Sequence, residues 1–402
     1  MTTLGIVSSY SDSCGNAAFT RVLKRTIEQY SDVTVEVVDL DLQLLQSLDR
    51  SVRKVADRYV AEICERLRGF DAVNIQLEAS LYGTLPRDIY RRLSRMMRAN
   101  RRTSITLHSP RIIEAGSQLR SAIKDALALK IGSAIRTFVT SLKGSVHVRL
   151  NRRLIRAMIA NNCRAIVHTE RAKRQIQALF GYGNVVVHPL RIVGEGFEPR
   201  RDVLDSLRAQ LGLNPDRKLV GVFGYLSSNK GHLDALEAMK LLPAHYVLLI
   251  FGRQHPQTIK TDGKRDGYLA RLIETVQESE ELRGRVIFMG ELPDDDFLQV
   301  AANIDVAWLP YYENGQDGSG IASICMDVAP RVLASASFAF DELLRLIPYS
   351  NVMRFDIGNE IELASKTEMI LERPVPSKPF GDESRFSIRS QAIIYADAAK
   401  AG

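Results

Sequence analysis

The chain has 402 residues, 25% charged and 45% hydrophobic, an ordinary globular mix long enough for two domains. No apolar run reaches the roughly 18 residues of a membrane span, and the opening MTTLGIVSSYSD has no basic stretch followed by an apolar one, so neither a transmembrane helix nor a signal peptide is expected. The net charge of +7 hides an asymmetry: residues 1–190 hold 30 Lys/Arg against 16 Asp/Glu, and residues 191–402 hold 24 against 31. A basic first half beside an acidic second half predicts two domains with different partners, the first suited to an anionic surface.

The strand signals begin at residues 4–9 (LGIVSS) and recur at 33–40, 71–77, 103–107, 164–168 and 185–188. Helical periodicity separates them over 17–30, 51–67 and 86–99. Strands alternating with helices imply a parallel, doubly wound sheet. Residues 112–161 break that rhythm with apolar, arginine-studded turns, read as two inserted helices that either lid the domain or lie on a membrane surface. The pattern restarts after His188-Pro189-Leu190. Strands are expected at 218–224, 246–251, 285–289, 305–309 and 331–335, with helices over 231–241, 268–278 and 294–303, and a closing helix over 387–401. The expected class is α/β, with a first Rossmann-like domain over 1–190, a second over 191–385 and a C-terminal helix over 386–402 that crosses back. Four scattered cysteines (Cys14, Cys64, Cys163, Cys325) argue against a zinc site or disulfide framework and fit a reducing cytoplasm.

Open parallel sheets bind ligands beyond the carboxyl ends of their strands, where strand order reverses. One such end stands out. The strand at 305–309 runs through Trp308 into Pro310, then into Asn314-Gly315-Gln316-Asp317-Gly318-Ser319-Gly320, and a helix starts near Ile321. Strand, glycine loop and helix start can cradle phosphate, because backbone N–H groups and the positive helix end face the ligand. A surface loop with a capped helix has the same signature.

As a set, the strand-end loops of the second half resemble the GT-B glycosyltransferases, specifically the retaining "glycosyl transferases group 1" type. Four pieces in order carry the resemblance: residues 220–231 (VGVFGYLSSNKG), 248–252 (LLIFG), 286–293 (VIFMGELP) and 302–310 (ANIDVAWLP). The first half is looser, with GIVSS before Cys14-Gly15-Asn16, then Asn74 to Glu78, Tyr82-Gly83 and Thr106-Leu107-His108. The resemblance implies two domains facing a cleft and transfer of a sugar from a nucleoside diphosphate sugar to a glycan or lipid-linked acceptor, with no cofactor. It implies donor contacts at Gly15, Asn16, Tyr225, Lys230, Gln316, Asp317, Gly318, Ser319 and Gly320, and catalytic roles for Lys230, His108 and Glu78. Three departures stand out. Tyr225 replaces the family's usual arginine, and Gln316 and Ile324 stand where two glutamates would be.

Lys230 is the candidate cation on the leaving diphosphate, with the helix end after Ser319 beside it. Asp294-Asp295-Asp296 opens a helix and reads as N-terminal charge, so no metal is expected. His168 and His188 read as strand caps. The run Arg87, Arg91, Arg92, Arg95, Arg98, Arg101 and Arg102 has helical spacing; Arg87, Arg91, Arg95, Arg98 and Arg102 suit the anionic inner membrane surface, giving a cytoplasmic, peripheral location. No nucleic-acid module is present in the sequence. A nucleotide-sugar epimerase and a non-catalytic glycan- or partner-binding scaffold are the alternative readings.

Overall fold

The structure is a computed structural model that describes residues 2–11, 15–113, 131–200, 202–254, 266–313, 315–376 and 385–400, with the backbone alone for 131–143. The chain forms two compact units. The first gathers Met1–Pro189, Gly315–Asp317 and Ile388–Gly402, and the second Leu190–Asn314 and Gly318–Ser387.

The first unit is built on β1 (Thr2–Ser8), β2 (Val33–Asp39), β3 (Ala72–Leu77), β4 (Thr103–Leu107), β5 (Arg164–Val167) and β6 (Val185–Val187). All pair in parallel, in the order β2-β1-β3-β4-β5-β6. The chain leaves β1 for β2 on one side and returns to β3 on the other, so strand order reverses between β1 and β3. β3 and β4 are buried along their whole length, as strands covered on both faces must be. Even so, Asn74, Gln76, Ser104 and Thr106 project into that interior. The helix Pro86–Met97 starts on proline, whose missing N–H no helix start needs. It buries Ile89, Leu93, Met96 and Met97, one stripe at helical spacing.

The inserted segment is described only in part. Two helices are predicted over 112–161; residues 114–130 lie outside the described residues, and the rest is one helix, Ile131–Ala160. It runs unbroken through Gly144. A glycine in a helix interior costs about 1 kcal/mol. Val148, Leu150, Leu154, Ile155 and Met158 are all buried, and each buried aliphatic side chain contributes about 1.5–3 kcal/mol, so the glycine does not break the helix.

The second unit repeats the plan with β7 (Lys218–Phe223), β8 (Tyr246–Phe251), β9 (Val286–Gly290), β10 (Val306–Leu309), β11 (Val332–Ser335) and β12 (Val352–Phe355). Its parallel order is β12-β11-β10-β7-β8-β9, with the reversal between β7 and β10. Trp308, on β10, is fully buried, and its indole N–H donates to Thr367 Oγ1 at 3.0 Å, so the largest core side chain leaves no donor unsatisfied. No helix among the described residues is long and apolar enough to cross a membrane.

Candidate functional site

The reversal point of the second sheet brings together the loops after β7 and β10. β7 ends at Phe223, and a short turn, Ser228–Lys230, leads through Gly231 into the helix His232–Leu241. Gly231 has φ +69°, and a Cβ there would fall 1.8 Å from the carbonyl oxygen of Pro310. Only glycine fits this approach. The turn is thereby held against the end of β10, and the Lys230 ammonium lies 3.6 Å from the Tyr311 ring centroid. The ring face attracts the cation. No acidic group among the described residues is in ion-pair contact with it, and burial pushes the Lys230 amine down to about 7, opposed only weakly by Cys325.

From Tyr311 the arrangement continues to a helix start. The Tyr311 hydroxyl lies 3.3 Å from Ser319 Oγ. Ser319 caps the helix Gly320–Val328, its Oγ accepting from the Ala322 N–H at 3.3 Å. A lysine cation, two hydroxyls and a helix N-terminus therefore stand in sequence at one strand-end crevice. Such a set can hold an anion of the phosphate type. Tyr312 braces the same loops: its N–H donates to the Asn229 carbonyl at 3.0 Å and its hydroxyl to Asp234 Oδ1 at 2.6 Å.

Tyr225, in the place of the expected arginine, is half-buried, and the Arg253 guanidinium stands over its ring at 5.9 Å. Arg253 also pairs with Glu291 at 3.2 Å. Ile324 is buried, so the second glutamate position is filled by an apolar core side chain. Tyr311 and Arg253 are the residues that sequence reasoning missed. Each owes its place to packing between strands far apart in the chain; only the position of each just past a strand end could have signalled it.

In the first unit, Glu78 follows β3 at that sheet's reversal point. Burial holds its carboxyl above the ordinary range, against the opposing charge of Arg111. Gly15 and Asn16 open the helix Gly15–Tyr30, and a Cβ at Gly15 would meet open space. His108 follows β4. Its Nε2 lies 2.8 Å from Gln76 Oε1 and its Nδ1 3.2 Å from His168 Nε2. His168 Nδ1 bonds the His188 carbonyl at 3.1 Å and His188 Nδ1 the Pro189 carbonyl at 2.7 Å, as strand-end caps do. Residues 169–173, just past β5, are the cap and first turn of the helix Glu170–Phe180. This start engages the glycine loop: Asp317 Oδ1 accepts from Arg171 Nη2 at 2.8 Å, Arg171 Nε at 3.2 Å and Thr169 Oγ1 at 3.2 Å. The Gln316 carbonyl accepts from Arg171 Nη2 at 3.2 Å.

The expected basic face divides. Arg92 is buried, donating to the carbonyls of Leu45 (2.8 Å) and Tyr82 (2.9 Å) and pairing with Asp57. Arg91 pairs with Asp57 and Asp88. Arg87, Arg95, Arg98 and Arg102 are exposed. Among the described residues no group of three His, Cys, Asp or Glu side chains could hold a metal.

No curated protein sequence matches the chain. Solved structures do. The Anabaena protein HepE, in complex with UDP and glucose, is 16% identical with TM-score 0.60, over 100% of this chain and 95% of that one. Sucrose-phosphate synthase from Thermosynechococcus elongatus is 18% identical with TM-score 0.62, over 100% and 97%. The UDP-forming α,α-trehalose-phosphate synthase of Burkholderia xenovorans, in complex with glucose-6-phosphate, is 11% identical with TM-score 0.61, over 98% and 95%. The chain thus shares along its whole length the two-unit GT-B fold of these proteins, and its residues 204–324, from the start of the second unit to the Ser319-capped helix, match the family model of glycosyl transferases group 1.

Proposed function

We propose that the protein is a glycosyltransferase that moves a sugar from a nucleoside diphosphate sugar to a glycan or lipid-linked acceptor, with retention of anomeric configuration. One observation carries this reading: Lys230, on the Tyr311 ring and without a carboxylate partner among the described residues, shares the β7/β10 crevice with the Ser319-capped helix. HepE, similar in fold, is complexed with UDP and glucose.

A departing nucleoside diphosphate develops negative charge that the protein must stabilise in place. Lys230 supplies the mobile positive charge, and the start of the helix Gly320–Val328 adds about half a charge. Ser319 donates from its hydroxyl, and Gly318 and Gly320 let phosphate oxygens approach the backbone. These groups take the part of the cations on the leaving group, so the reading is metal-independent. Tyr225 borders the same crevice, and Arg253 beside it brings a guanidinium charge where the family's arginine is missing. Asp317, committed to Arg171 and Thr169, holds the loop and leaves Gln316 as its donor-side residue. In front-side transfer a donor phosphate oxygen takes the acceptor proton, and no protein nucleophile is needed. On the first unit Gly15, Asn16 and Glu78 keep the roles expected of them, Glu78 as the protonatable group nearest the acceptor, while His108 has both ring nitrogens bonded within the protein. The exposed arginines Arg87, Arg95, Arg98 and Arg102 attach the protein to an anionic inner membrane leaflet, giving a cytoplasmic, peripheral enzyme.

The test is calorimetric binding of free UDP, GDP, ADP and dTDP, with donor hydrolysis measured across the corresponding sugars. One diphosphate should bind, and Lys230→Ala should weaken it about 30-fold, the loss of a charged hydrogen-bonding group. Absence of binding by all four overturns the reading. The second reading, a non-catalytic glycan-binding scaffold, draws on Gln316 and Ile324, neither of which offers a carboxylate to ribose hydroxyls. It expects glycan binding without turnover, unaffected by Lys230→Ala.

A further inference from the structure

A continuous chain of polar side chains crosses the interior of the first unit at the ends of β3 to β6. His168 Nδ1 meets the His188 carbonyl at 3.1 Å. His168 Nε2 meets His108 Nδ1 at 3.2 Å, and His108 Nε2 meets Gln76 Oε1 at 2.8 Å. Gln76 Nε2 faces Asn74 Oδ1 at 2.6 Å and Thr106 Oγ1 at 3.2 Å. Asn74 Nδ2 faces Ser104 Oγ at 2.9 Å and Thr106 Oγ1 at 3.3 Å. The Tyr395 hydroxyl, from the helix Ile388–Lys400, lies 2.9 Å from Thr106 Oγ1. Phe19, from the helix Gly15–Tyr30, stands edge-on to both imidazoles, with ring centroids 5.5 and 6.1 Å away.

The protons along this chain can be counted. Both ends of the imidazole pair face carbonyl oxygens, the His188 main chain and Gln76 Oε1, and neither can donate. Three bonds then require three protons on four ring nitrogens, which makes the pair a cation. A second arrangement makes every bond with two protons. If the Gln76 amide is turned end for end, its N–H donates to His108 Nε2. Its oxygen then faces Asn74, whose amide must turn as well. Asn74 Nδ2 now donates to Gln76 Oε1, and Asn74 Oδ1 accepts from Ser104, while Thr106 donates to either amide oxygen and accepts from Tyr395. Oxygen and nitrogen of a side-chain amide have nearly the same shape, and the hydrogen-bond network decides between them.

Charge decides between the two arrangements. A cation in an interior without an acidic partner among the described residues is strongly disfavoured, whereas turning both amides gives up only the long 3.3 Å bond from Ser104 Oγ to the Val73 carbonyl and one of the two Thr106–amide contacts. The titratable groups facing the pair are the two imidazoles themselves and, through Thr106 and Gln76, the Tyr395 phenol; no carboxylate among the described residues bears on them. Burial holds both imidazoles below the ordinary histidine range, His168 at about 4.

We propose that His108 and His168 are both neutral Nδ1–H tautomers, that the amides of Gln76 and Asn74 are turned so that Gln76 donates to His108 Nε2, and that His168 and Gln76 are positioning residues fixing His108. Both ring nitrogens of His108 are then occupied within the protein. Its imidazole presents a carbon edge and a fixed main chain to any ligand, and it does not act as a general base. The assignment rests on the hydrogen bonds of the first unit alone and holds whether or not the protein transfers a sugar.

The test is long-range 1H–15N correlation spectroscopy on the full chain labelled with 15N-histidine, from pH 7 to pH 5. With seven histidines, the two signals are assigned by their loss in His108→Asn and His168→Asn. Both should show a protonated Nδ1 and a bare Nε2, unchanged to pH 5. Gln76→Glu, whose ionised carboxylate only accepts, should protonate His108 Nε2 and raise the titration of the pair by about one unit or more. A native spectrum at pH 7 with His108 protonated at Nε2, or with an imidazolium pattern for either ring, overturns the proposal. Should Gln76→Glu fail to fold, the native spectrum still decides.

Discussion

At the carboxyl ends of β3 to β6, the imidazoles, amides and hydroxyls of the first unit satisfy one another from His188 to Tyr395. Asp317 is held there by Arg171 and Thr169. At the ends of β7 and β10, the second unit instead leaves Lys230 against an aromatic face, with its charge disfavoured. The same winding of strands and helices thus yields one polar cluster that is complete and one whose lysine has no anionic partner among the described residues. A buried network with all its partners present rigidifies its surroundings. A cation without a counter-charge is an unstable arrangement that a bound diphosphate would complete. The difference supports the proposal of an anion site in the second unit, and it can be broken at several points.

The largest expected effect is on the cation. Lys230→Ala should lower kcat about 10²–10³-fold, the usual scale for losing one group that stabilises developing charge. The measurement is release of nucleoside diphosphate under saturating donor. A loss below threefold would mean that the second unit is as complete without the lysine as the first is without a ligand.

The pH dependence comes next, and its sign follows from the lowered lysine. With the amine at about 7 in the free protein, the site loses its proton as pH rises past 7, while diphosphate binds the protonated form. The Kd should therefore weaken about tenfold per pH unit above 7, one proton being taken up on binding. Calorimetry at pH 6 to 9 in buffers of different ionisation enthalpy measures both, and Lys230→Ala should flatten the curve. Stability moves the other way. The folded value lies below the ordinary 10.5, so the unfolded chain binds the extra proton between about 7 and 10.5, and the site's contribution to stability rises across that window.

In the first unit the group outside the closed network is Glu78, whose carboxyl is raised by burial. Glu78→Gln should lower kcat about tenfold, at or below the low end for general acid–base groups, and leave donor KM within about twofold. The raised carboxyl also predicts an acid limb in the pH–rate profile that disappears in the variant. An unchanged profile would make Glu78 a structural residue like its neighbours.

How much of this was legible in the sequence varies with the range of the interactions involved. The parallel strands announce themselves as short apolar runs such as 218–223 and 246–251, because burial on both faces leaves no room for alternation. β12 (Val352–Phe355) went unseen: four residues that include Arg354 do not read as a strand. Of the insertion expected over 112–161, the described part is the helix Ile131–Ala160, and the face it buries from Val148 to Met158 is set by tertiary packing. Lys230 was visible through its spacing to Gly231, but its seat on Tyr311 was not, since the close approach of Gly231 to Pro310 depends on β7 lying beside β10. The histidine network was least visible. Asn74 and Gln76 fall inside the strand expected at 71–77, and only the sheet register places them beside Ser104 and Thr106.

The smallest effects are expected on the arginine face, where local pairing reduces what the sequence promises. Each exposed basic side chain near an anionic membrane contributes about 1 kcal/mol, roughly a fivefold change in partitioning. That figure applies to Arg87, Arg95 and Arg98. It does not apply to Arg92, which is buried on main-chain carbonyls, and applies only in part to Arg91, whose charge is shared with Asp57 and Asp88. Replacing Arg87, Arg95 or Arg98 singly with Ala should therefore weaken co-sedimentation with phosphatidylglycerol vesicles about fivefold. Arg91→Ala should weaken it by less than half as much in free energy. Arg92→Ala should instead lower the thermal midpoint, because it leaves Asp57 half-paired and two buried carbonyls without a donor. Raising the salt should erase the losses at Arg87, Arg95 and Arg98, since screening shortens their reach to a few ångströms near 1 M, and should leave the Arg92→Ala destabilisation in place. Equal responses from Arg91, Arg92 and Arg95 would show that the ion pairs with Asp57 and Asp88 do not partition this face.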